Sequence, residues 1–130
     1  MFNLSLKSFK IISLLLFLFT VSCVGTEKNK KPVIITNDSY NPKTICDCNN
    51  DGITILNNIL SKRRQFETTQ SLSENKNASE YIDILKKNWK TTQYKCLKLF
   101  GSAMMSPSEC NDPKTIQSIK DQLFELGVRT

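Results

Sequence analysis

The 130-residue chain contains no histidine. This absence excludes Ser-His-Asp and Cys-His nucleophiles, histidine-ligated zinc and haem, and the usual general base near neutral pH. Catalysis would have to rely on groups such as carboxylates or thiols. We therefore predict that the protein is not an enzyme.

The chain also lacks an apolar run long enough to cross a bilayer. The run IISLLLFLFTV, residues 11–21, has eleven residues, whereas a membrane-spanning helix needs roughly 20. Lys7 and Lys10 precede it, and a basic start followed by a short apolar segment is typical of a secretory signal peptide. We predict a signal peptide over residues 1–22.

The apolar run ends in the tetrapeptide TVSC, residues 20–23. Ser22 and Cys23 resemble the lipobox of bacterial lipoproteins, in which a small residue precedes a cysteine that is acylated and becomes the new N-terminus. Thr20 departs from the usual leucine, a relaxed form found in lipoproteins of the Bacteroidota kind. The resemblance implies that Cys23 carries acyl groups such as palmitate, which hold the protein at a membrane without spanning it.

The residues after Cys23 bear on the location within the envelope. Val24 stands where an aspartate signals inner-membrane retention in many Gram-negative bacteria, so the resemblance implies the outer membrane. The stretch VGTEKNKK is dominated by lysine, whereas some relatives carry an acidic surface-export signal there. We therefore expect the periplasmic face.

Composition divides the mature chain into a tether and one small domain. Residues 23–45 are rich in lysine, asparagine and proline, which predicts a flexible tether. The apolar stretch VIIT, residues 33–36, is the exception and is either a short strand or a patch that docks on the domain. We assign residues 46–130 to the domain.

Apolar residues recur at helical spacing in three stretches of this domain. Their predicted bounds are 52–64, 78–100 and 113–126. Asn77 is the predicted N-cap of the second helix and Asp112 that of the third, where Pro113 takes the first helical position. We read 67–77 and 102–112 as loops. The sequence thus predicts an all-α domain, a small bundle of about three helices.

Four cysteines follow Cys23: Cys46, Cys48, Cys96 and Cys110. An even number in an exported domain predicts two disulfides that clamp the bundle. A bond between Cys46 and Cys48 would close a strained ring, and two other pairings remain open. One alternative function is a thiol–disulfide oxidoreductase that uses Cys46 and Cys48, although Asp47 opposes a thiolate there.

The motif DCNNDG, residues 47–52, resembles the opening of an EF-hand calcium loop. Asp47, Asn49 and Asp51 alternate as Ca²⁺ ligands do, and Gly52 follows. The match ends at Asn58, where the loop needs a bidentate glutamate. The other reading is a turn that precedes the first helix. A calcium-dependent binding module is therefore a second alternative function.

The net charge of +6 comes from interspersed lysines and acidic residues, and no nucleic-acid motif accompanies it. The sequence predicts a membrane-anchored envelope lipoprotein with a non-catalytic binding, accessory or inhibitor-type role. Its expected partners are the membrane, through the lipid, and an envelope protein. No cofactor is expected beyond the calcium alternative. The lysines near residue 90 read as a solvated face that could also meet anionic lipid headgroups or an acidic partner.

Overall fold

A computed structural model describes residues 31–130, which carry four α-helices and no β-strand. The helices are α1 (Ile45–Arg63), α2 (Thr69–Glu74), α3 (Lys76–Phe100) and α4 (Pro113–Glu125), and a 3-10 turn, Gly101–Met105, follows α3. The predicted all-α fold is confirmed, with one short helix more than expected. The predicted signal peptide, 1–22, and Cys23 lie outside the described residues.

The first helix begins about two turns before its predicted start at Gly52. Thr44 is its N-cap: the hydroxyl accepts a hydrogen bond from the Asp47 backbone N–H at 3.1 Å, and the Asp47 carboxylate accepts from the Thr44 N–H at 2.9 Å. This reciprocal capping box satisfies N–H groups that would otherwise lack partners at the helix start. Apolar periodicity begins only later, so the prediction missed the first turns.

The predicted loop 67–77 contains the short helix α2. Thr68 caps it, with hydrogen bonds exchanged between Thr68 and Ser71. Asn75 then caps α3, because its Oδ1 accepts from the Ala78 N–H at 3.0 Å. The cap therefore lies two positions before the predicted Asn77.

The start of α4 is as predicted. Asp112 is the N-cap, its Oδ1 accepts from the Thr115 N–H at 3.0 Å, and Pro113 takes the first helical position. The hydrogen bonds from Thr115 hold the pKa of the Asp112 carboxyl below its ordinary value. Gly127, at φ +78°, follows the helix in the left-handed conformation typical of helix ends.

The core lies where α1 packs against both α3 and α4. Its fully or nearly buried members are Ile55, Leu56, Ile59, Leu60, Leu72, Ala78, Ile82, Leu85, Trp89, Ile119, Leu123 and Val128. Trp89, which belongs to this core, is only 5% exposed. The α1 helix is thus the central element that positions the other two long helices.

Arg63, at the end of α1, is buried together with its charge. Its Nε donates to the Leu126 carbonyl at 2.9 Å and its Nη1 to the Phe66 carbonyl at 2.6 Å. Carbonyls near a helix C-terminus carry partial negative charge and favour a cation. The side chain therefore joins the C-terminal ends of α1 and α4, a role that the sequence pattern does not reveal.

The tether predicted over 23–45 is not free in its described part. Residues 31–44, here called the strap, lie along α3. Buried Asn88 accepts from the Ile35 N–H and donates to the Val33 carbonyl, both at 2.8 Å. Lys95 Nζ donates to the Asn37 carbonyl at 2.9 Å. Backbone groups of a polar segment thus find partners on the domain, and the VIIT stretch docks rather than forming a strand.

Candidate functional site

Two disulfides fix the first turn of α1 to the rest of the domain. Cys46 bonds to Cys110, with Cα atoms 5.0 Å apart, and Cys48 bonds to Cys96, with Cα atoms 5.9 Å apart. This selects one of the two pairings that the sequence left open. Cys46 and Cys48 therefore do not form a disulfide with each other, as a Cys-X-Cys redox site would require.

The two disulfides differ in their exposure to solvent. Cys48 and Cys96 are 2% and 1% exposed, whereas Cys46 and Cys110 are half-buried. Tyr40 of the strap covers the inner bond, with its hydroxyl 3.8 Å from Cys96 Sγ. The outer bond is therefore the more accessible of the two to a redox partner.

Tyr40 also links the strap to α1. Its hydroxyl donates to the Asp51 carboxylate at 2.9 Å. Burial raises the pKa of the Tyr40 phenol far above its ordinary value, and the Asp51 carboxylate raises it further. The phenol thus stays protonated and keeps its hydrogen bond across the physiological pH range.

The predicted calcium loop is the beginning of a helix. Asp47 and Asp51 border an open depression of about 430 Å³ beside the strap, but the Asn49 side chain is buried and its Oδ1 accepts from the Asp112 N–H at 2.9 Å. Residues two apart in a helix point to nearly opposite sides. The structure therefore does not bring the three predicted ligands together, and residues 31–130 hold no cluster of three metal-ligating acidic or cysteine side chains.

A mostly apolar groove of about 220 Å³ lies between α3, the 3-10 turn and the first turns of α4. We call it the Trp89 groove; its lining residues are Cys48, Trp89, Thr92, Gln93, Cys96, Leu97, Met104, Met105, Pro113, Ile116, Gln117 and Lys120. The inner disulfide and Trp89 are buried, whereas Met105, on the 3-10 turn, is 65% exposed. The groove is therefore open to solvent and has a rigid inner wall.

Asn111 fixes the outer wall of the Trp89 groove. This buried side chain donates from Nδ2 to the carbonyls of Ala103, Met104 and Ser106 at 3.3, 3.1 and 2.8 Å. These bonds hold the turn that carries Met104 and Met105. The sequence pattern predicts a plain loop over 102–112. It reveals neither the wall nor its support, because the contacts of Asn111 run to backbone carbonyls.

Polar groups stand among the apolar residues of the groove. Gln93, Gln117 and Lys120 line it together with the apolar walls. Gln117 Nε2 donates to the Asp121 carboxylate at 2.7 Å. Such a combination of an apolar interior and a polar rim is typical of binding surfaces.

No helix of residues 31–130 is both long and apolar enough to cross a bilayer. Comparison of the chain with known proteins finds no matching family model, curated protein or solved structure. Function is therefore inferred from the residues of this chain alone.

Proposed function

We propose that the protein is an outer-membrane lipoprotein, anchored through acylated Cys23, with a non-catalytic binding role. The lipobox-like TVSC sequence supports the anchor and periplasmic facing follows from the residues after it. The two disulfides support an exported domain, because such bonds persist in oxidising compartments.

The Trp89 groove carries the binding part of the proposal. Pockets for small-molecule ligands usually enclose about 300–1,000 Å³, and the groove, at about 220 Å³, is smaller. Protein interfaces commonly place one large apolar or aromatic side chain in a pocket surrounded by polar groups. The groove therefore fits an apolar side chain that an envelope protein inserts between Trp89 and Met105.

The two alternative functions find less support in the geometry. Asp47 caps α1 and Asn49 points into the domain, which leaves the calcium module without a convergent ligand set. Cys46 and Cys48 each bond to a distant cysteine, which leaves the oxidoreductase without a free thiol pair.

Intact mass of the protein extracted from membranes tests the anchor. We expect a chain that begins at Cys23, is heavier by its acyl groups, and gains about four hydrogens when its two disulfides are reduced. A chain that retains residues 1–22, or one cleaved without added lipid, contradicts the anchor. Unchanged mass on reduction contradicts the exported, oxidised domain.

Photo-crosslinking in intact cells tests the groove. A photoreactive amino acid replaces Gln93 beside the groove, and the same amino acid replaces the exposed Asn57 on α1 as a control. We expect one discrete protein adduct from position 93 and none from position 57. Met105→Glu should abolish the adduct, because a charge then stands at the apolar wall. An adduct that survives Met105→Glu, or that forms equally from position 57, rejects the groove as the binding site.

A further inference from the structure

The C-terminal half of α3 carries basic charges without acidic ones. Between Asp83 and Glu109 the sequence has five lysines and no acidic residue. The first turns of α3, in contrast, contain Glu80 and Asp83. Both acidic residues of α3 therefore lie in its N-terminal half, after Lys76, and the charges that follow them on the helix are all basic.

The basic end presents a continuous exposed surface, here called the basic face. It consists of Lys87, Lys90, Tyr94, Leu97 and Lys98. At 3.6 residues per turn, these five positions fall within an arc of about 100° on the helix. Tyr94 is 58% and Leu97 38% exposed. The surface thus combines three cations with an aromatic ring and an aliphatic side chain.

This combination matches the chemistry of an anionic bilayer surface. Lysine side chains lay their apolar stems on lipid and place the ammonium at the phosphate level. Tyrosine is enriched at membrane–water interfaces, and each lysine near an anionic leaflet strengthens binding about fivefold. Contact with water alone does not account for the exposed apolar side chains of Tyr94 and Leu97 on this face.

The length of chain before the strap places this face within reach of the anchor. Eight peptide steps separate Cys23 from Lys31, and covalent geometry limits their span to about 27 Å. Lys31 pairs with Glu80 at 2.9 Å. From Glu80 to Lys98 the helix rises about 27 Å. A bilayer that holds Cys23 can therefore also touch the last turns of α3.

We propose that the basic face docks on anionic phospholipid headgroups of the membrane that holds the chain. The proposal rests on the anchor at Cys23 proposed above. Docking brings the C-terminal half of α3 to the bilayer surface rather than its whole length, because the exposed Glu80 and Asp83 lie on the same side of the helix in its N-terminal half.

Lysine footprinting of the acylated chain, purified from membranes and reconstituted into vesicles, tests this docking. One vesicle type is phosphatidylcholine alone and the other also contains phosphatidylglycerol. An uncharged amine-reactive reagent labels the protein, and mass spectrometry reads each lysine. We expect severalfold less labelling of Lys87, Lys90 and Lys98 on the anionic vesicles. Lys43 and Lys114, both exposed and both outside α3, serve as internal references and should label equally on both.

Paired variants make the test specific. Lys90→Gln with Lys98→Gln should weaken docking about 25-fold and restore labelling of Lys87 on anionic vesicles. Lys43→Gln with Lys114→Gln removes the same charge outside α3 and should leave Lys87 protected. High salt should also restore labelling, because the contact is electrostatic.

Equal labelling of the basic face on both vesicle types overturns the proposal. Protection seen only in intact cells, and not on anionic vesicles, overturns it in favour of an acidic protein partner. Failure of the anchor is a separate result, because it shows beforehand as a chain without acyl mass on Cys23.

Discussion

Trp89 lies directly against the backbone of Gly52: a Cβ atom at position 52 would stand 2.9 Å from Cζ3 of the indole. In a helix interior, alanine is more favourable than glycine by about 1 kcal/mol. Overpacking a tight core contact costs about 1–3 kcal/mol, and the Trp89 ring must shift to admit the new methyl group. We expect Gly52→Ala to lower the free energy of unfolding by about 1 kcal/mol in urea denaturation.

Asn57→Ala is the matched control for this change, since Asn57 is exposed on the same helix. It should raise stability by a few tenths of a kcal/mol. If Gly52→Ala is as stable as the parent protein, the close packing of α1 on α3 is incorrect.

Asn88 determines whether the strap stays on the domain. Asn88→Asp keeps an acceptor for the Ile35 N–H but removes the donor to the Val33 carbonyl, so that an oxygen faces an oxygen. A buried acceptor without its donor costs about 1–3 kcal/mol. Hydrogen exchange should show faster exchange of the Ile35 and Tyr40 amides while the core amides of α1 stay protected. If the Ile35 and Tyr40 amides exchange at the same rates in the parent and the variant, the binding of the strap to the domain does not depend on the Asn88 side chain.

Mild reduction should open the two disulfides in sequence. Cys46–Cys110 is half-buried and should react first, whereas Cys48–Cys96 lies under Tyr40 and should resist until the domain unfolds. Alkylation after timed exposure to a reductant, followed by mass analysis, separates the two. Tyr40→Phe keeps the ring and serves as a control, and Tyr40→Ala should speed reduction of the inner bond. Simultaneous loss of both bonds in the parent protein contradicts the assigned burial.

Acid should weaken the start of α1. Hydrogen bonds from the Lys43 and Thr44 N–H groups hold the pKa of the exposed Asp47 carboxyl below its ordinary value. A lowered folded-state pKa contributes stability above the unfolded-state value, about 3.9, and this contribution is lost as the pH falls through the folded-state value. Asp47→Asn should therefore be less stable than the parent at pH 6 and lose less stability between pH 5 and pH 2. Parallel pH profiles for the two proteins would exclude this role.

Local rules predicted the parts of the fold that depend on neighbouring residues. The start of α4 follows from Asp112 and Pro113, since a polar capping residue followed by proline is a characteristic signal of a helix N-terminus. The helices predicted over 78–100 and 113–126 likewise follow from apolar residues at helical spacing. These predictions needed only helical periodicity and capping chemistry.

The same rules could not predict contacts between residues that are distant in the sequence. Gly52 follows an Asn/Asp stretch that reads as a turn, and only the Trp89 ring explains why glycine is needed inside α1. Asn88, Asn111 and Arg63 are polar and no sequence pattern marks them as core residues, yet all three are buried with backbone partners. A backbone carbonyl has the same chemistry everywhere in a sequence, so no residue pattern marks such a partner.

The nested disulfides also determine how the domain responds to a pulling force. Both bonds leave the first turn of α1, spanning 64 and 48 residues of sequence. Tension applied at Lys31 can straighten the strap, but at Cys46 and Cys48 it passes through covalent bonds to Cys110 and Cys96. The residues between Cys48 and Cys96 therefore do not carry the tension. With the anchor and the groove binding proposed above, tension between Cys23 and a partner in the Trp89 groove therefore passes through the two disulfides and leaves the bundle folded.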